Sequence, residues 1–258
     1  MEVISKNIIK QIRSLEQRKF RRQEGLFVAE GNKLVHDNLT SMHCHRLIAT
    51  REWWQANQQA ASSADECYEI TPSDMERLSL MQSPQDVLGV FCIPDYELTS
   101  EVMFGLKDQL TVALDEVQDP GNLGTIIRLC DWFGIRHIVC SANTADCFSP
   151  KVVQATMGAI ARVKVHYTDL PAFLTSMQRL EVPVYGTFLE GTDIYHTELT
   201  PHGIIVMGNE GRGISPAVRE CVTRKLFIPP FPSDAITSES LNVGIATAIT
   251  VSEFRRRI

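Results

Sequence analysis

Three short stretches carry residue types and spacings that could do chemistry. Asp119 to Arg128 reads DPGNLGTIIR and follows the largely apolar run LTVALDEVQ. A glycine-rich turn between a strand and a helix is where α/β proteins hold nucleotide-like ligands, because the first helical N–H groups have no partner within the helix. The spacing matches neither G-x-G-x-x-G nor G-x-x-x-x-G-K-[ST], so a nicotinamide or nucleotide-triphosphate enzyme lacks its fingerprint. The second stretch, IIVMGNEGRGIS, sets Gly208, Asn209, Glu210, Gly211 and Gly213 after a predicted strand. The third, LFIPPFPSDAITSESLNVGIATAI, runs through a proline-rich loop to Ser240, Leu241 and Asn242 before a final helix. Glycine lets backbone amides approach a ligand closely, and Ser240 suits an N-cap or first-turn position. All three stretches follow predicted strands, and the carboxyl ends of strands are where ligands of open α/β sheets bind.

The elements that must position these residues alternate along the chain. Ile8, Ile9, Ile12, Leu15 and Phe20 recur at helical spacing, which predicts one amphipathic helix from Ser5 to about Arg22. Strands are predicted at GLFVAEG, HRLIAT, CYEI and VLGVFCIP with helices between them, giving a small α/β domain over residues 1–95. Residues 94–107 mix Pro and Gly without a period and read as a linker. From residue 109 the strands become continuously apolar (LTVALDE, HIVCS, ARVKVHY, VPVYGTF, GIIVMG, RKLFIP), the pattern of a mostly parallel sheet covered by helices on both faces. The second domain therefore spans 109–258.

Composition narrows the function classes. A net charge of −6 argues against a general nucleic-acid coat, yet residues 1–22 carry seven basic side chains (Lys6, Lys10, Arg13, Arg18, Lys19, Arg21, Arg22) against Glu2 and Glu16. That local +5 leaves −11 for the remainder, so a phosphate-binding surface and a solvated helix face are both open readings. Seven cysteines with no C-x-x-C pair fit reduced thiols and the cytoplasm. The charged N-terminus does not read as a signal peptide, and no apolar run has the length of a membrane span. His43 and His45 lack metal-ligand spacing, so no metal is expected. Trp53 and Trp54 read as packing with one exposed ring or as base-stacking residues, and the FRRRI tail as phosphate contacts or a helix C-terminal charge.

Together the motifs LDEVQDPGNLGTIIRLCDWFGI, IVMGNEGRGIS and SLNVGIATAI, with the linking segment FSPKVVQATMGAIARV, resemble the SpoU (TrmH-like) branch of the SPOUT RNA methyltransferases. The resemblance covers residues 110–258. Residues 1–95, including LFVAEGNKLV, are similar to the substrate-binding domain that precedes the catalytic domain in ribosomal-RNA members.

The resemblance implies methyl transfer from S-adenosylmethionine to a ribose 2′-hydroxyl, with rRNA favoured over tRNA as the acceptor. A non-catalytic RNA-binding or ribosome-assembly factor on the same fold is the alternative from another class. It also implies a trefoil knot in the C-terminal part and a homodimer through that domain. Asn122, Arg128, Glu210, Ser240 and Asn242 are the implied catalytic set. Thr187, Leu189, Gly208, Glu210, Gly211, Ile228, Leu241, Asn242 and Val243 are the implied cofactor contacts. The connection from Ile228 to Ser240 is longer than the family's usual one and lacks its glycine.

Overall fold

The computed structural model describes residues 2–232 and 238–257, with side chains from residue 4 onward. In chain order the elements are β1 (Glu2–Val3), α1 (Lys6–Ser14), α2 (Arg18–Glu24), β2 (Leu26–Glu30), α3 (Asn32–Leu39), β3 (Cys44–Ala49), α4 (Arg51–Ala56), β4 (Ala64–Glu69), α5 (Pro72–Leu78) and β5 (Val87–Cys92). They continue with α6 (Ser100–Leu106), β6 (Leu110–Leu114), α7 (Pro120–Trp132), β7 (His137–Ser141), α8 (Pro150–Ala155), β8 (Lys164–Thr168) and α9 (Leu170–Gln178). The last are β9 (Val184–Asp193), β10 (Gly203–Met207), α10 (Pro216–Arg219), β11 (Arg224–Phe227) and α11 (Val243–Arg256).

Contacts divide the chain into two units, one of residues 1–95 with 146–162 and one of 96–145 with 163–258. The first holds a five-stranded mixed sheet in the order β1-β4-β3-β5-β2. Residues 146–162 belong to this unit because their apolar side chains find partners there. Phe148 lies 4.8 Å from Phe27 between ring centroids, and Gly158 turns so tightly over α3 that a Cβ would overlap the Asp37 carboxylate. Arg21 is buried, donates to the carbonyls of Leu15 and Glu16 at 2.7 Å, and pairs with Asp146 at 2.5 Å.

That arginine corrects the single helix expected from Ser5 to Arg22. The chain breaks at residues 15–17, and Arg21 turns inward to take the carbonyls the break leaves open, so it is not part of the outer basic face. The tryptophan pair is also corrected: Trp53 and Trp54 are both buried, with indole N–H groups donating to Asn32 Oδ1 at 2.8 Å and Tyr68 O at 3.0 Å. The predicted linker contains α6, whose cap Thr99 accepts from Val102 N at 3.3 Å.

The second unit is a six-stranded, wholly parallel sheet in the order β11-β9-β10-β6-β7-β8. Strand order reverses between β10 and β6, the switch point at which loops splay apart and leave a crevice. The final helix begins at Val243, not Ser240, and returns to pack against α7. Its arginines are used internally: Arg255 Nε donates to Phe133 O at 2.9 Å, Arg256 and Arg257 pair with Glu253, and Arg257 also donates to Ile194 O and Tyr195 O. The tail is thus held as a structural clamp, and Arg255 and Arg256 stand in the last turn of α11, where a positive charge suits the helix C-terminus.

At the opposite edge of this unit, His166 Nδ1 lies 2.7 Å from Tyr96 O, and its Nε2 lies 2.9 Å from His137 Nδ1. A carbonyl only accepts, so His166 carries its proton on Nδ1 and His137 must donate to Nε2. A further proton on His166 would break that bond. Burial lowers both pKa values, His137 to about 4 with the neighbouring His166 charge adding to the effect.

Two stability predictions follow from these contacts. Arg21→Ala leaves Asp146 unpaired and two carbonyls open, and should destabilise by about 3 kcal/mol in thermal melts, with most of the loss absent when Asp146→Ala is already present. For the histidines the folded pKa lies below the unfolded value, so their contribution is complete above pH ~6.5 and is lost as pH falls toward 4. Melting temperature against pH should drop across that window, and His137→Gln should flatten the drop.

Candidate functional site

The loops after β6 and β10 leave the same sheet edge because these strands run parallel in register, Leu114 beside Met207. Buried Asp115 locks their bases together: its N–H donates to Met207 O at 2.9 Å and its carboxylate accepts from Ser215 N at 2.7 Å. Glu116 adopts φ 57°, a region non-glycine residues seldom visit. The turn is held by Asn209 Nδ2 donating to Glu116 O at 2.7 Å, and by Asn143 and Arg212 donating to the Glu116 carboxylate at 2.9 and 2.5 Å.

The glycine loop itself is a closed structure. Asn209 and Gly213 exchange two backbone hydrogen bonds of 2.9 Å, and Asn209 Oδ1 accepts from Gly211 N and Arg212 N at 3.0 Å. Gly208 is buried beneath the closure, where a Cβ would overlap the backbone of Gly213 and Ile214. Glycine is required there by contact between two backbone segments, which is a stronger constraint than conformational freedom.

On α7 the N-cap is Asp119, whose Oδ1 accepts from Asn122 N at 2.8 Å, with Pro120 at the first helical position. This corrects the capping role open to Asn122 and frees its amide for tertiary contacts. Asn122 Nδ2 donates to Glu210 Oε1 at 3.1 Å, and its Oδ1 accepts from Asn242 Nδ2 at 2.9 Å. Asn242 is the N-cap of α11, accepting from Gly244 N and Ile245 N at 2.9 and 3.2 Å, so that cap is not Ser240. Glu210 accepts further from Gln118 N at 3.3 Å and Asp119 N at 3.1 Å. Burial pushes the Glu210 carboxyl upward, but the Asn122 amide and the surrounding backbone N–H groups more than reverse this and hold it below the usual carboxylate range. At neutral pH it is an anion stabilised by these donors, and so poorly suited to take a proton itself.

Arg128 lies farther along α7, exposed, with no hydrogen bond or ion pair to the Asn122 network among the described residues. Ser240 is exposed, and its carbonyl accepts from Ser238 Oγ at 3.4 Å. Thr187 in β9 donates to Val206 O at 3.5 Å, Leu189 and Leu241 are exposed, Ile228 is half-buried after β11, and Val243 is buried in the first turn of α11. Gly211 is at the exposed tip of its loop. Part of the long connection, residues 233–237, lies outside the described residues. Asp115 and Glu116 organise this edge without having been singled out in the sequence, together with Asp119 and Asn209, which were named there only as members of the glycine-rich stretches. An Asp immediately before Pro120 was the readable signal for the N-cap.

Among the described residues no group of three His, Cys, Asp or Glu is placed to hold a metal. Beside Asn122 the edge carries the aliphatic side chains of Leu241 and Val243, flanking Asn242, and the Glu210 carboxylate held by its donors. That chemistry fits an uncharged aromatic base joined to a cationic centre.

Comparison with known proteins bears on this arrangement. Residues 109–252 match the SpoU rRNA Methylase family, and residues 6–89 match an MRM3-like substrate binding domain. The chain is 28% identical to the 23S rRNA (guanosine(2553)-2′-O)-methyltransferase RlmP of Bacillus subtilis over 96% of this chain and 95% of that one. A TrmH-family protein from Porphyromonas gingivalis superposes with a TM-score of 0.88 at 43% identity, covering 99% of this chain and 100% of its own. An AdoMet-bound rRNA methyltransferase from Sinorhizobium meliloti gives a TM-score of 0.87 at 31% identity, covering 100% and 98%.

Gly208→Ala should open the Asn209–Gly213 closure. Backbone amide exchange in residues 209–215 should accelerate at least tenfold while the β6 and β7 amides keep their protection, a local rather than global loss.

Proposed function

The chain belongs to the SpoU rRNA Methylase family, and from that premise we propose that it transfers a methyl group from S-adenosylmethionine to a ribose 2′-hydroxyl of rRNA. The observation that carries the reading is the joining of Asn122 in the first turn of α7, Glu210 in the loop after β10 and Asn242 at the cap of α11, on the carboxyl edge of the parallel sheet. S-adenosylmethionine supplies a methyl group already bonded to a good leaving group. The protein's task is alignment and charge, since the C–O bond forms as the C–S bond breaks and the hydroxyl proton passes to an acceptor.

Thr187, Leu189, Gly208, Gly211, Ile228, Leu241 and Val243 would hold the nucleoside part of the donor through apolar contact and backbone amides. The ionised Glu210 would attract the sulfonium end. Arg128, always protonated and unpaired among the described residues, would anchor the phosphate beside the acceptor ribose and stabilise the developing alkoxide. Ser240 would complete the set from the segment preceding α11. Residues 1–95, with the exposed Lys6, Lys10, Arg18, Lys19 and Arg22 on α1 and α2, would bind the RNA, since phosphate contacts supply most sequence-independent affinity. The boundary at 95 is kept as a functional one, although residues 146–162 pack with that unit.

The trefoil knot and the homodimer belong to the same reading. The return of α11 from the far edge strand β11 to pack on α7 supports the first. The exposed Trp132, Leu241 and Ile245 on and beside those two helices, with Trp132 85% exposed, support a second copy covering them. Seven free cysteines suit the cytoplasm.

Labelled S-adenosylmethionine with rRNA lacking 2′-O-methyl groups tests the reading, and absence of transfer despite bound donor would refute catalysis. Arg128→Ala should lower single-turnover transfer by about 100-fold or more with little change in donor affinity. Arg128→Lys should recover little, because a point charge does not reproduce the planar fork. Unaltered single-turnover transfer in Arg128→Ala would remove Arg128 from the catalytic set.

A further inference from the structure

A cleft of about 350 Å³ opens in the first unit, lined by Asn32, Trp53, Asn57, Glu52, Gln85 and Asp86 among others. Its volume lies within the range of about 300–1,000 Å³ typical of small-molecule sites. One wall is rigid. Trp53 Nε1 donates to Asn32 Oδ1 at 2.8 Å, Asn57 Nδ2 donates to Trp53 O at 2.9 Å, and Asn57 Oδ1 lies 3.1 Å from His36 Nε2. The indole is further braced by Trp54, edge-on at 5.2 Å between ring centroids.

The other lip is the segment ending at Asp86, and it too is fixed. Buried Glu30 accepts from Ser79 Oγ at 2.7 Å and from Gln85 N at 3.0 Å, so one carboxylate oxygen holds both ends of the 79–85 turn. The side chains of Glu52 and Asp86 are exposed at the cleft and have no ion pair or hydrogen bond among the described residues. The Trp53 indole N–H and one amide N–H each of Asn57 and Gln85 are engaged within the protein, whereas the Glu52 and Asp86 carboxylates are free to accept. Two free carboxylates favour a ligand presenting N–H groups over a phosphate.

We propose that this cleft takes one unstacked nucleobase of the RNA substrate, and that it prefers a base with an exocyclic amine over uracil. The inference deepens the RNA reading and rests on it. Adenine, cytosine and guanine each offer an amino group to Glu52 or Asp86, while uracil flanks its single N–H with two carbonyl oxygens that face the carboxylates unfavourably. The basic side chains of α1 and α2 carry the backbone charge, and the acidic cleft contributes base choice.

The test uses the full chain and the Trp53 indole N–H resonance, assigned with Trp53→Phe and titrated with oligoadenylate, oligocytidylate and oligouridylate hexamers. The expected result is a shift of Trp53 with the first two at an affinity about tenfold or more above that for oligouridylate. Glu52→Gln with Asp86→Asn, both surface changes, should erase the discrimination and raise the KM for rRNA in methyl transfer about tenfold without lowering the melting temperature. A silent Trp53, an equal response to oligouridylate, or the same shift with magnesium or spermidine alone would overturn the proposal. Discrimination at Trp53 in a protein that transfers no methyl group would sustain the cleft and defeat the methyl-transfer reading. Methyl transfer with Trp53 silent would do the reverse.

Discussion

The side-chain amide of Asn122 is the connection on which the candidate site depends. It donates to Glu210 and accepts from Asn242, so residues 88 and 120 positions away are tied to the first turn of one helix. Direction is fixed at one end, because an ionised carboxylate can only accept. With Nδ2 committed to Glu210, Oδ1 must take the Asn242 amide, and the Asn242 oxygen is then left to cap α11. Aspartate at 122 would set its charge against Glu210, and an aliphatic side chain would remove both hydrogen bonds. The identity of this residue therefore orients three loops at once.

The parallel sheet makes that meeting possible. Neighbouring β6 and β10 deliver their loops to one edge, and β9 brings Thr187 to the same end beside Val206. Asp115 and Asn209 then convert proximity into fixed geometry through contacts to backbone N–H and C=O groups. Glu116 accepts an unusual backbone conformation for this purpose, a strain of order 1–3 kcal/mol sustained by four surrounding hydrogen bonds.

Much of this was legible in the sequence because the physical signals were local. Continuous apolar strands gave the parallel sheet, and the glycine-rich loops marked the edge that carries the candidate site. What escaped were residues whose partners lie far away in the chain. Arg21 reads as one more cation on an amphipathic helix, and only the break after Ser14 and the presence of Asp146 explain its burial. The contribution of 146–162 to the first unit is likewise invisible to a reading that cuts the chain once, since Phe148 and Gly158 resemble ordinary core and turn residues until Phe27 and Asp37 are placed against them. The adjacent tryptophans suggested one exposed ring because neighbours on a helix usually diverge. Here each N–H has a buried acceptor, and both rings can enter the interior at little polar cost.

The charges of the candidate site are kept apart in a way that bears on its chemistry. Glu210 and Arg128 stand on neighbouring elements, and a direct pair between them would consume both. Glu210 is instead satisfied by neutral donors: two backbone N–H groups and one amide. Those donors stabilise the anion without cancelling its charge, so its field still reaches a cation brought to the same edge. Arg128 is exposed and keeps all its donors available to an oxyanion. In the proposed reaction the donor is cationic and the acceptor's surroundings are polyanionic, and a pre-formed Glu–Arg pair would have to be broken before either could be bound. Satisfying the carboxylate with neutral amides avoids that desolvation and exchange, and lets α7 and the loop after β10 present opposite charges to two different ligands.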